Sequence, residues 1–280
     1  STPYGNTFTF DMAKAAVVNE DLGKDSDTDL LTVSLSSTDY IGHQFGVNAI
    51  ETEDTYLRLD QDLNSFFKFL DKTVGKGNYS VFLSADHGGA HNPGFLKDQK
   101  LPSNSWNNGG QLKMANELLA TKYGIKGLLL SLSNSQVHLN YKQIEASNID
   151  VEQLKKDAIQ FFKKQENVAW AVDVNHLADS PMPEFLKERI RKGYHAERSG
   201  DIFIVLKANT RAGLYKTGTD HGVWNPYDSH IPLVWMGWGI KQGRTTKETH
   251  MTDIAATVSA LLRIQMPSGT VGNPIQEVLK

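Results

Sequence analysis

The sequence predicts an α/β fold, a mostly parallel central sheet with helices on both faces, interrupted by a smaller inserted α+β subdomain. Three observations predict it. Apolar runs at residues 30–35 (LLTVSL), 79–83 (YSVFL) and 231–236 (IPLVWM) have the continuous hydrophobicity of strands buried on both faces. Helical periodicity lies between the first two. Between the second and third, the pattern changes to short strands and helices in quick succession. The expected organisation is residues 1–110 as the first part of an α/β core, 111–206 as the insertion and 207–280 as the remainder of the core.

In chain order, residues 11–22 (DMAKAAVVNEDL) read as a helix stopped by Gly23. The 30–35 strand ends in Ser36-Ser37-Thr38-Asp39. Residues 53–74 read as a long helix, with Tyr56, Leu59, Leu63, Phe66, Phe67 and Leu70 on one face, ended by Gly75 and Gly77. The 79–83 strand runs into Ser84-Ala85-Asp86-His87-Gly88-Gly89. Residues 92–110, rich in Asn, Gly, Pro and Ser, read as a long loop. Within the insertion, helices are expected at 112–123, 151–165 and 183–192, and strands near 127–132, 136–139, 168–172 and 202–206. Residues 210–229 are polar and glycine-containing, and 252–262 form a closing helix. Phe66, Phe67, Trp235 and Trp238 read as core, and the pairs Lys155-Lys156 and Lys163-Lys164 as a solvated helix face.

The bulk numbers exclude several classes. A net charge of −3 gives no electrostatic reason to expect nucleic acid or an anionic membrane as partner. No run approaches the roughly 20 apolar residues that span a bilayer. The absence of cysteine excludes thiolate zinc sites, disulfides and a cysteine nucleophile in this chain, and leaves the compartment open. Ser1-Thr2-Pro3-Tyr4-Gly5-Asn6 lacks an initiator methionine, a basic n-region and an apolar h-region, which reads as a mature or cut form with Ser1 as a tag remnant.

Twice, a predicted strand delivers metal-type residues at its carboxyl end, where open α/β sheets place their sites. Asp39 and His43 are four apart and converge on one ion if the segment turns helical; the other reading is a capping Asp with a surface His. Asp86 and His87 reach one ion if the backbone wraps it, which Gly88 and Gly89 permit; the other reading is a turn capped by Asp86. Gly218-Thr219-Asp220-His221-Gly222 adds a third such loop. Nitrogen-and-oxygen sets of this kind suit zinc with open positions for substrate oxygens. His91 and His230 are candidates for outer contacts to the ligands, although a loop histidine and a structural hydrogen bond explain them as well. His138, His176, His195 and His250 read as surface or satisfied groups.

Taken together, STDYIGHQFG, SADHGGAH and TGTDHGVWNPYDSHIPLVWMGWG, with the preceding GNTFTFDMAKAA, resemble the alkaline phosphatase superfamily. Within it they are most similar to single-domain bacterial alkaline phosphatases related to nucleotide pyrophosphatase/phosphodiesterases. The resemblance implies two zinc ions per complete active site, one held by Asp39, His43 and His221, the second by Asp86 and His87. It implies a small phosphorylated substrate and a periplasmic or secreted location. It also implies a Thr or Ser nucleophile and a further Asp, for which the 38 residues before Asp39 offer no matching motif. The chain is therefore expected to be a carboxy-terminal, metal-binding part of a phosphate monoesterase, inactive alone. A phosphodiesterase, a sulfatase-like enzyme, a manganese-dependent phosphoglycerate mutase and a non-catalytic metal-binding domain remain alternatives.

Overall fold

The computed structural model describes residues 2–211 and 216–280. The reading of Ser1 as a tag remnant, and part of the polar segment 210–229, lie outside the described residues. The chain divides into two compact units, Ser1–Gly89 with Tyr227–Lys280, and Ala90–Pro226.

The first unit opens with α1 (Tyr4–Asn19), which starts seven residues before the expected helix. Propensity is poor there, but burial of Asn6 and Phe10 holds the extra turns, an ordinary tertiary override. Phe10, Ala13 and Val17 recur at helical spacing and meet Phe66 and Leu70, with the Phe10 and Phe66 rings 5.2 Å apart. Next come α2 (Ser37–Phe45), closed by Gly46 at φ 103°, and α3 (Ile50–Leu70), prolonged by a π-helical turn, Asp71–Gly75. β1 (Ser80–Ser84) follows.

The second unit holds α4 (Pro93–Asp98), β2 (Asn104–Ser105), α5 (Asn108–Tyr123), β3 (Leu129–Ser133), β4 (Gln136–Leu139), α6 (Tyr141–Ala146), α7 (Val151–Lys163), β5 (Val168–Asp173), α8 (Glu184–Gly193), β6 (Ile202–Leu206) and β7 (Thr210–Arg211). β3, β4, β6 and β5 form an antiparallel sheet in that order. Its core gathers Leu119 from α5, Leu154, Ala158 and Phe162 from α7, and Ile202 from β6, all fully buried. α7 begins at a cap in which the Asp150 carboxylate accepts from the amides of Glu152 and Gln153. After α9 (Pro226–Ser229), the first unit resumes with β8 (Leu233–Gly237), antiparallel to β1, and α10 (Asp253–Leu262).

Mixed α/β character is borne out, with five corrections. Among the described residues, parallel pairing is confined to β2 with β7, because apolar runs reveal burial but not strand direction. The 30–35 run forms no strand, and Leu30 is 70% exposed; hydrophobicity makes a strand only where a neighbour offers its backbone. The 92–110 segment is not a long loop, since it contains α4, β2 and the start of α5, whose cap is the Asn107 side chain accepting from Gly110 N–H. Lys155 is not on a solvated face: it is 3% exposed, while Lys156, Lys163 and Lys164 are exposed. Trp238, expected in the core, is 54% exposed.

The tyrosines set an alkaline limit. Burial, then a hydrogen bond to Asp201, pushes the Tyr141 phenol up to about 12. Burial, then a 2.8 Å bond to Asp71, pushes Tyr79 up to about 12 as well. Their folded values lie above the unfolded value of about 10, so this stabilisation is full below pH ~10 and is lost as pH rises through the folded values. The melting temperature is expected to fall between pH ~10 and ~12, less steeply in a Tyr141→Phe variant; parallel profiles for the two proteins would contradict this.

Candidate metal centre

α2 carries Asp39 in its first turn, where the helix dipole favours an anion, and His43 one turn later on the same face. His43 Nε2 lies 3.4 Å from Asp39 Oδ2. The start of α1 is seated against this turn. Asn6, almost fully buried, donates through Nδ2 to Thr38 Oγ1 at 3.1 Å, and a Cβ on Gly5 would fall 2.1 Å from Ser37 Oγ.

β1 supplies the other pair just beyond its last residue. His87 Nδ1 is 2.8 Å from the Gly88 carbonyl oxygen. A carbonyl only accepts, so Nδ1 carries a proton, and in the neutral ring Nε2 then presents its lone pair, the tautomer a ligating imidazole needs. That Nε2 is 3.5 Å from Asp86 Oδ2 and 3.9 Å from Asp39 Oδ1. Asp39 thus turns one oxygen to each histidine.

The donor set fits zinc. Ligand atoms bonded at ~2.0–2.1 Å to one tetrahedral ion stand about 3.3 Å apart. The spacings of 3.4 Å (His43 to Asp39) and 3.5 Å (His87 to Asp86) match that edge and exceed the usual hydrogen-bond length. Asp86 is mostly exposed, which leaves the centre open to solvent on that side.

Gly88 shapes the loop by close approach. Its N–H donates to Asp228 O at 2.6 Å, and a Cβ there would lie 2.4 Å from the backbone oxygen of Tyr227. Backbone cannot swing aside as a side chain can. Gly88→Ala is expected to cost about 1–3 kcal/mol of stability, as overpacking does, and to weaken metal binding by displacing His87. Melting and zinc titration check it; unchanged zinc affinity in the variant would contradict the role given to the loop.

Of the five predicted ligands, Asp39, His43, Asp86 and His87 come together in the first unit, and His221 lies in the second, on the loop after β7. Among the outer candidates, His91 is partly buried and stacks on Phe95 with ring centres 5.3 Å apart, and His230 is exposed. Sequence reasoning missed Asn6, Gly5 and Thr38 beside Asp39; a small residue and an amide opening a helix were the only signal.

A second gathering of metal-type side chains, Glu152, Asp173 and His176, sits in the second unit. The Lys155 ammonium already occupies it, 2.7 Å from Glu152 Oε1 and 2.9 Å from Asp173 Oδ2. A cation is built in, so this cluster is structural.

Residues 3–230 match the type I phosphodiesterase / nucleotide pyrophosphatase family. The chain is 52% identical over 283 residues to a protein of Myroides odoratus named calcium-transporting ATPase, covering 100% of this chain and 52% of that protein. It is 48% identical over 279 residues to alkaline phosphatase PafA of Elizabethkingia meningoseptica, covering 100% of this chain and 51% of PafA. The crystal structure of wild-type PafA superposes with a TM-score of 0.95 at 48% identity, covering all of this chain and 53% of the other. The chain thus spans about half the length of the curated relatives it matches.

Proposed function

Because this chain belongs to the type I phosphodiesterase / nucleotide pyrophosphatase family, we propose that it is the zinc-ligating part of a phosphoester hydrolase that cleaves phosphate monoesters. The observation that carries this reading is the convergence of Asp39, His43, Asp86 and His87 at ligand-to-ligand spacings. Asp39, His43 and His221 are assigned to one zinc, and Asp86 and His87 to the second. When bound, such ions supply Lewis acidity and positive charge for in-line displacement at phosphorus. The chain's own part is to hold and orient: the Gly88 carbonyl fixes the His87 tautomer, and Asn6 and Gly5 seat the turn that bears Asp39.

The preference for monoesters is supported by the 48% identity to a protein named an alkaline phosphatase. The nucleophile, Thr or Ser by resemblance, is assigned to a part of the full-length gene product other than this chain, and the substrate to small phosphorylated molecules. Location in the periplasm or outside the cell is part of the same proposal; among the described residues no helix is long and apolar enough to cross a membrane.

The test is turnover. With zinc, the full-length gene product is expected to hydrolyse an aryl phosphate monoester with a higher kcat/KM than the matching diester, while this chain alone turns over neither. A higher kcat/KM for the diester would overturn the monoester assignment, and enzyme-like rates from this chain alone would overturn the placement of the nucleophile.

A further inference from the structure

We propose that Arg211 is a positioning residue for His221, a role that rests on reading His221 as a zinc ligand. Arg211 ends β7, is 7% exposed, and is held by its own backbone: β7 pairs with β2, and the Arg211 carbonyl accepts from Trp106 N–H at 2.8 Å. From this fixed base the guanidinium reaches the candidate ligand loop. Nη1 donates to the carbonyl oxygen of His221 at 3.0 Å, and Nη2 to that of Asp220 at 3.3 Å.

The loop is tied on a second side. Asp220 O also accepts from Ala90 N–H at 3.1 Å, and the Thr219 hydroxyl donates to the Ala90 carbonyl. Three successive residues, Thr219 to His221, are therefore anchored, and Gly222 turns away immediately afterwards at φ 96°.

The side-chain type follows from the task. Two consecutive carbonyls on one side of a loop need two donors at fixed separation, and the planar guanidinium fork provides them. Its charge strengthens both bonds, the more so in a buried setting. A lysine offers a single point charge and reaches one carbonyl well at best. With the backbone on both sides of the His221 Cα restrained, the imidazole is carried by an ordered loop before any ion arrives. Less conformational freedom then has to be surrendered on binding, which raises affinity without a direct contact.

The test compares this chain with its Arg211→Met, Arg211→Lys and His221→Ala variants. Zinc affinity is read by competition with a chromophoric chelator, cobalt(II) coordination by its visible spectrum, loop order by amide hydrogen exchange and folding by circular dichroism. Arg211→Met is expected to bind zinc about 10–100-fold more weakly, as loss of an outer partner does. Its cobalt spectrum should shift toward that of His221→Ala, and the amides of residues 219–222 should exchange faster. Arg211→Lys should fall between the two, and it carries the test if Arg211→Met fails to fold. Unaltered affinity and cobalt spectrum in both variants, even with lowered stability, would overturn the proposal alone. A parent chain that binds neither ion would overturn the metal reading, and this proposal with it.

Discussion

Asp39→Ala is expected to weaken zinc binding by this chain more than about 100-fold, beyond the range seen for outer-sphere partners. In the full-length gene product the same change should lower kcat/KM for an aryl phosphate by several orders of magnitude. The size of the effect follows from the two-sided use of this carboxylate, with one oxygen 3.4 Å from His43 and the other 3.9 Å from His87. Folding should be little affected, by about 1 kcal/mol at most, because Asp39 is a solvent-accessible helix residue whose removal opens no cavity and loses only the interaction of an anion with the first turn of α2. Zinc titration beside urea melting separates these effects. Near-normal affinity and activity would remove Asp39 from the ligand set.

The second large effect is on stability. Lys155→Met is expected to destabilise the chain by about 3–5 kcal/mol, because it leaves the Asp173 carboxylate buried without its partner. Burial draws the Lys155 ammonium down, but its hydrogen bonds to Glu152 and Asp173 outweigh that and hold it above the ordinary lysine value. A raised folded value means that the contribution is complete below the unfolded value of ~10.4 and is lost only as pH climbs through the folded one. Adding Asp173→Leu to Lys155→Met should recover most of the loss, since a buried ion pair exchanged for apolar groups is often near neutral. A single variant costing under about 1 kcal/mol by urea melting would show the pair to be solvated rather than buried.

Lys155 also shows why part of the fold was illegible. Lys155, Ala158 and Phe162 lie on one buried stripe at spacings of three and four, so the periodicity pointed inward while the residue type pointed outward. The partner that reverses the reading, Asp173, stands 18 residues away in β5. Where pattern and residue type agree, expectation and structure coincide: expected strands at 136–139 and 202–206 are β4 and β6, and the expected helix at 151–165 is Val151–Lys163. Residues 30–35 failed for the opposite reason. Their hydrophobicity states a preference for burial, and the strand depends on a neighbour that the run itself does not encode.

The candidate site was legible in residue type and spacing, two carboxylates and two imidazoles each expected at a strand end, although residues 30–35 form no strand and Asp39 and His43 sit on α2. What it left out was support. The Asn6 bond to Thr38 spans 32 positions, and the need for glycine at position 88 arises from the backbone of Tyr227. Neither is a local property.

The metal reading of Asp39, His43, Asp86, His87 and His221 is tested most directly by the zinc content of this chain, measured by elemental analysis after dialysis against low micromolar zinc. At least one bound zinc per chain is expected, lost in Asp39→Ala and His221→Ala, with X-ray absorption giving only nitrogen and oxygen neighbours at ~2.0–2.1 Å. No retained zinc, or zinc that both variants keep, would contradict it.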